Sequence, residues 1–216
     1  MKIVSVKVIH DKRKVTLPEE WRAAWREPDG EPVKSWGFSY FKVKTDEGIE
    51  GFGPYTGNPD QHLISLLKGF DPYHVGEFWD AFMSGKRAGT ANVKASGLEI
   101  ALWDIIGKAS GRPVYKLLGA CRDRIMAYAA TSRLLKVEEH VRQVHELMDM
   151  GFKAVKLRLH RPKPEDDLGM VKAVRDAVGD DLLILVDANQ NNPSRQYNFW
   201  SRRTAFKMAR ELDKLD

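Results

Sequence analysis

The spacing of apolar residues changes character part-way along the chain. In the first fifty or so positions it alternates with a period of two. Ile3 to Ile9 reads as a strand, and Phe38 to Thr45 and Ile49 to Tyr55 as a hairpin turned at Asp46-Glu47-Gly48. This predicts a small antiparallel meander. The connection from Asp11 to Trp36 carries Trp21, Trp25 and Trp36 among Pro18, Pro28, Asp29, Gly30 and Pro32, so it is expected to be a long loop. Its tryptophans argue against disorder and leave two readings, a locally packed loop or a lid over a ligand.

From Asn58 the period becomes helical. Asn58-Pro59 reads as a cap followed by a first-turn proline. His62 to Phe70 and Val75 to Met83 read as short helices. Ala91 to Ala109 is the longest amphipathic run, with Val93, Leu98, Ala101, Leu102, Ile105 and Ile106 on its stripe. Ala95, Ser96 and Gly97 predict close packing against another element. Gly111 and Pro113 end the helix, and Val114 to Gly119 reads as an extended or turn link.

After about residue 120 strands and helices alternate. Arg124 to Thr131, Lys153 to His160 and Leu182 to Asn189 read as strands. Val137 to Met150, Pro164 to Val178 and Ser201 to Leu215 read as helices. Strand, helix, strand in that order implies a parallel sheet. The expected organisation is an α+β domain over residues 1–120 and a β/α domain over residues 121–216.

The polar residues on these strands are selective. Lys156, Arg158 and His160 alternate onto one face, with Val155, Leu157 and Leu159 on the other; Asp187 and Asn189 share a face of the next strand. Buried unpaired cations are costly, so that face meets water, an anion or a carboxylate. The bland alternatives are a solvated edge strand for Lys156 and Arg158, and an Asx turn before Asn191-Asn192-Pro193 for Asp187.

Composition narrows the function. The chain has 216 residues, 43% hydrophobic and 30% charged, and a net charge of +5 spread without basic runs, which disfavours nucleic acid as a partner. No apolar run reaches membrane-spanning length. The single cysteine, Cys121, excludes an internal disulfide and fits a reducing compartment. With a strand at the N-terminus in place of a signal peptide, the expected location is the cytoplasm.

Gly97-Leu98-Glu99-Ile100-Ala101-Leu102-Trp103-Asp104-Ile105-Ile106-Gly107-Lys108, followed by Gly111-Arg112-Pro113-Val114-Tyr115-Lys116-Leu117-Leu118-Gly119, resembles the end of the capping domain in the mandelate racemase and muconate lactonizing enzyme branch of the enolase superfamily. Lys156-Leu157-Arg158 falls where that family carries Lys-x-Lys, and Asp187-Ala188-Asn189-Gln190 where it carries its first metal-binding carboxylate. The resemblance covers essentially the whole chain. It implies a capping domain followed by the first part of a (β/α) TIM-type barrel, about three of its eight units.

The resemblance further implies Mg²⁺ in the barrel mouth, a small carboxylate substrate and removal of the proton α to the carboxylate. Asp187 is then the first metal ligand, and Lys156 neutralises the substrate carboxylate. Arg158 stands where the family has its usual base. Arginine stays protonated, so an electrostatic role follows and the base comes from elsewhere. Asn189 is a candidate substrate contact, and His160, on the same face, is a second candidate for the base or else a substrate-binding or structural residue. Trp25 and Tyr55 join them because the family closes a loop near residues 17–36 and a turn near Tyr55 over the substrate.

Dehydration of an acid sugar is the favoured outcome, because it needs a base on one face only; racemisation or cycloisomerisation is the alternative. The later strands, with the remaining metal ligands, are missing from the 216 residues, which are therefore expected to be inactive alone. The other class is a truncated, non-catalytic chain that only oligomerises. Relatives are commonly homo-oligomers, and one is expected here.

Overall fold

A computed structural model describes residues 1–24, 30–55, 57, 61–83, 91–190 and 199–215. The chain divides into two compact units. One comprises Met1–Thr16 and Ser35–Asp123, the other Leu17–Lys34 and Arg124–Asp216.

The first unit is built on a three-stranded sheet in the order β1 (Ile3–Trp21), β2 (Val33–Thr45), β3 (Glu50–Pro54). β2 and β3 are antiparallel, from Tyr40 opposite Pro54 to Lys44 opposite Glu50, and Gly48 at φ 84° makes their turn. Phe41 and Val43 point inward and are fully buried. Helices α1 (Gln61–Leu67), α2 (Val75–Met83) and α3 (Ala91–Ser110) follow.

The small residues of α3 and β3 set how closely these two elements approach. A Cβ on Gly53 would lie 1.8 Å from the carbonyl oxygen of Gly97, and one on Gly97 1.9 Å from that of Pro54. Leu98, Ala101, Leu102 and Ile105 then meet Phe41, Val43 and Ile3 in one core.

The second unit holds a three-stranded sheet in the order β4 (Ala129–Ala130), β5 (Ala154–Arg158), β6 (Leu183–Asp187), with parallel pairing throughout. Helices α5 (Val137–Asp149), α6 (Pro164–Val178) and α7 (Arg202–Asp213) complete it. Val155, Leu157 and Leu159 pack with Val144, Met170, Val171 and Val174. Pro164 opens α6, Gly179 at φ 57° closes it, and the Ser201 hydroxyl caps α7 by accepting from the Thr204 amide at 3.0 Å. β6 is an edge of the sheet. Leu183 and Val186 are exposed there, beside an apolar groove of about 510 Å³ that Val171, Leu212 and Leu215 also line.

Three local expectations are corrected. The stretch predicted as a loop from Asp11 to Trp36 is largely strand: β1 runs on to Trp21 and β2 begins at Val33. Both faces of that extension are mostly exposed, so no apolar period marked it. The strand expected from Arg124 shrinks to Ala129 and Ala130, because Ile125 and Met126 stay 81% and 65% exposed and gain nothing from pairing. Val114–Leu117 is a helical turn, α4, because the Leu118 amide reaches the Val114 carbonyl. The predicted cap at Asn58-Pro59 lies outside the described residues.

The end of β1 belongs to the second unit and is bonded into it. Trp21 donates from Nε1 to Ser132 Oγ at 3.0 Å, Ala24 N donates to the Ser132 carbonyl at 2.7 Å, and Arg133 pairs with Glu19 at 3.0 Å. Among the described residues no helix is long and apolar enough to cross a membrane.

Candidate active site

The parallel register assembles the site at the carboxyl ends of the strands. Lys156 lies opposite Leu185 and Arg158 opposite Asp187, so both cations and the carboxylate share a face. On the other side Ala130 lies opposite Lys156 and leaves room for the lysine. Lys156 Nζ stands 3.5 Å from Asp187 Oδ2 and 5.4 Å from the centre of the Tyr128 ring. Arg158 donates from Nη1 to Asp187 Oδ2 and to Asn189 Oδ1 at 2.9 Å, and from Nε to the Thr131 carbonyl at 3.2 Å. The side chains of Arg158 and Asp187 are 17% and 34% exposed, which makes these bonds the condition for holding the cation there. Among the described residues two cations, Lys156 and Arg158, face the Asp187 carboxylate.

Asn189 closes the end of the sheet. It is 4% exposed and sits at φ 51°, a left-handed conformation that asparagine tolerates better than most residues. Its amide donates to Asp187 Oδ1 at 3.0 Å, making the Asx-type turn that the sequence left open as an alternative, and its Nδ2 donates to the Asp187 carbonyl at 2.7 Å. The same carboxylate thus makes the turn and receives the cations; the two readings are compatible.

His160 lies beyond the end of β5 in a neighbouring recess with Arg161, Pro162, Gln190 and Trp200. Burial lowers its pKa and favours the neutral ring. Behind it a buried ion pair fixes two loops. Arg161 Nη1 pairs with Asp167 at 3.0 Å, its backbone amide donates to the same carboxylate at 3.1 Å, and Nη2 donates to the Leu135 carbonyl at 2.7 Å. The Leu135 amide donates to His140 Nε2 at 3.2 Å, so Leu135 is held from both sides. Burial raises the Asp167 pKa against the pull of Arg161. It lowers that of His140 to about 4, helped by the Arg161 charge.

The structure brings Lys156, Arg158, Asp187 and Asn189 together and sets His160 to one side. Tyr55 belongs to the first unit, its ring edge-on to His10 at 5.5 Å and tilted against Phe41 at 5.4 Å. Trp25 lies outside the described residues. Thr131 and Tyr128 were not singled out from sequence. Pairing Ala130 with Lys156 would have pointed to Tyr128, two residues earlier on the same face.

The chemistry of Asp187 suits a hard divalent cation, since Mg²⁺ takes carboxylate oxygens. The number of ligands falls short: among the described residues no group of three or more His, Cys, Asp or Glu is placed to hold a metal. Asp187 can therefore be one ligand of such a site and not the whole of it.

Residues 31–119 match the mandelate racemase / muconate lactonizing enzyme N-terminal domain, and residues 139–216 match the enolase C-terminal domain-like family. The chain belongs to the mandelate racemase / muconate lactonizing enzyme family. The signature-like stretch Gly97 to Gly119 falls within the first match. Among its relatives, the arabinonate dehydratase of Saccharolobus solfataricus is 30% identical over 191 residues, 81% of this chain and 49% of the relative. The L-talarate/galactarate dehydratase of Salmonella typhimurium is 30% identical over 186 residues, 83% of this chain and 43% of the relative. A crystal structure of that second enzyme, liganded with Mg and L-lyxarohydroxamate, superposes with a TM-score of 0.79 at 25% identity, over 99% of this chain and 56% of its own. The chain thus spans about half the length of the curated relatives it matches. Other members of the family similar to it are cycloisomerases, such as the D-galactarolactone cycloisomerase of Agrobacterium fabrum.

Proposed function

We propose that this chain contributes the cap and about three of eight barrel units to an enzyme that dehydrates an acid sugar. The proton α to the substrate carboxylate is removed, the β-hydroxyl leaves as water, and the resulting enol becomes a 2-keto acid. The observation that carries this reading is the convergence of Lys156 and Arg158 on Asp187 at the carboxyl ends of parallel strands, where barrel enzymes place their chemistry. That relatives at 30% identity are sugar-acid dehydratases supports it.

Asp187 would supply one ligand to Mg²⁺, which when bound adds positive charge beside the substrate carboxylate. Lys156, a compact cation on a flexible stem, pairs with that carboxylate. An arginine is no proton acceptor, so Arg158 stabilises negative charge as it develops. The base then comes from another group, either His160, whose burial favours the neutral ring, or a residue of the further strands. Because Arg158 cannot serve as the second of two opposed bases, racemisation is the weaker alternative. The lack of a three-ligand metal group among the described residues and the exposed edge of β6 support the reading that these 216 residues alone are inactive.

The test is incubation with a panel of acid sugars and Mg²⁺, with semicarbazide to detect 2-keto acids. Product is expected from a polypeptide carrying a complete barrel, none from the 216-residue chain, and none after Asp187→Asn. Exchange of the α-proton in D₂O without loss of water would replace dehydration by racemisation. Turnover by the 216-residue chain itself would overturn its dependence on further strands.

A further inference from the structure

The outer face of the first unit's sheet breaks the usual alternation. Phe41 and Val43 of β2 point into the core, so the residues between and beside them turn outward, where a sheet covered on one side is normally polar. On β2 that outer face reads Trp36, Phe38, Tyr40, Lys42, Lys44, three aromatic residues and then two lysines. Tyr40 forms an edge-to-face pair with Phe52 of β3 at 5.8 Å, and Lys42 lies directly opposite Phe52 in the register. Cations already sit over that ring, with Lys42 and Lys108 Nζ 6.0 and 4.6 Å from its centre. Trp36 and Phe38 lie beyond the reach of β3, which ends at Pro54 opposite Tyr40, and they stay 43% and 57% exposed. A contiguous exposed aromatic stripe marks a contact surface.

We infer that a second copy of this chain covers the stripe, with the two β2 strands packed face to face and antiparallel about a two-fold axis at Tyr40. The order of the side chains selects a copy of itself. A two-fold axis brings residue i against j and j against i. With the axis at Tyr40, Phe38 meets Lys42 and Trp36 meets Lys44, because the members of each pair lie equally far from the axis, about 6.8 Å and about 13.6 Å along the strand. Each lysine of the stripe then faces an aromatic ring of the other copy, a cation–π contact. A parallel arrangement would set lysine on lysine. The β3 edge of the same sheet is closed to an added strand: the Phe52 amide donates to Asp104 Oδ2 at 2.8 Å, and Lys108 Nζ donates to the Glu50 carbonyl at 2.7 Å. The stripe is smaller than the roughly 800 Å² per partner of a standard interface, so the dimer is expected to be weak, in the micromolar range.

The experiment is sedimentation equilibrium of the 216-residue chain, joined to cross-linking with a short bismaleimide. A concentration-dependent dimer is expected. Phe38→Ser removes an exposed ring and is expected to raise the dimer dissociation constant about thirtyfold, and Lys44→Glu, which takes away the cation facing Trp36, about tenfold. Cys121 is exposed and would itself react, so cross-linking uses a Cys121→Ser background. There Tyr40→Cys, on the axis, is expected to link to its own copy, and Trp36→Cys to link to Lys44→Cys when the two are mixed. The open edge of β6 is a competing route to dimers, and Val186→Cys reports on it. A dimer that links through Val186 and not through Tyr40, or one that Phe38→Ser leaves unchanged, would overturn the inference. So would a monomer at every accessible concentration, or a Trp36→Cys chain that links to itself in preference to Lys44→Cys. No readout depends on turnover, so a failed acid-sugar assay and a failed interface are told apart.

Discussion

Arg158 and Asp187 are direct partners in the parallel register of β5 and β6, and the guanidinium of the first donates to the carboxylate of the second. Arg158→Met would leave Asp187 with Lys156 at 3.5 Å as its cation and would remove the donors to Asn189 Oδ1 and the Thr131 carbonyl. Charged hydrogen bonds of this kind make the expected loss roughly 2 kcal/mol. Arg158→Lys should fall between this variant and the wild type. Urea unfolding midpoints give the comparison.

The Arg161–Asp167 pair is the more deeply buried, with side chains 14% and 0% exposed. Arg161→Met strands a carboxylate in the interior, and a loss of about 3 kcal/mol is expected. Replacing both residues, as Arg161→Met with Asp167→Leu, should cost less than the sum of the single changes, because no unpaired charge remains. A double-mutant cycle on unfolding free energies measures the difference.

His140 makes stability depend on pH in a direction that can be worked out. Its Nε2 accepts the Leu135 amide, its Nδ1 is buried with no partner among the described residues, and its pKa falls from 6.5 to about 4. Between those values the unfolded chain binds a proton that the folded chain does not. Stability should therefore decline as pH falls from about 6.5 to about 4, by on the order of 3 kcal/mol. Asp167 acts oppositely, because its raised pKa lets the folded form take a proton first. The His140 share is isolated by comparison with His140→Gln, whose profile should be flatter by that amount.

Gly53 and Gly97 leave no room for a methyl group against a backbone carbonyl. Gly97→Ala is expected to cost roughly 3 kcal/mol, since overpacking here displaces main chain and not a flexible side chain. Gly37→Ala meets nothing within 4 Å and should leave the melting temperature nearly unchanged. Equal effects at the two positions would contradict the close approach of α3 and β3.

Much of the site was legible because a strand has only two faces. Alternation alone set Lys156 with Arg158 and Asp187 with Asn189, and one register then brought the pairs together. Alternation also put His160 on that face, but the strand ends at Arg158 and the following backbone carries the imidazole into the recess beside Arg161. Asp167 was hidden for a different reason. An acidic residue in a helix's first turn is ordinary, and nothing local tells that a loop arginine six positions earlier will bury it.

Residues of the fold were readable where burial imposed a period. Pro164 to Val178 is helical over the limits expected from its apolar spacing. The extension of β1 past Ile9 was not readable, because a strand exposed on both faces selects no pattern. The tryptophan at its end, Trp21, had its partner more than a hundred residues away, at Ser132.

That pairing has a consequence for the order in which the molecule can be made. Leu17–Lys34 leaves the ribosome early, yet its bonds lie with Ser132 and Arg133 in a unit whose last helix ends at Asp213. The first unit is interrupted by a segment it does not keep, so neither unit corresponds to an unbroken stretch of translation. The end of β1 must wait for its partners, and closing so long a loop is slow. Cutting the gene near residue 123 would not yield two self-sufficient pieces: the downstream fragment would lack the strand end that Ser132 and Arg133 hold.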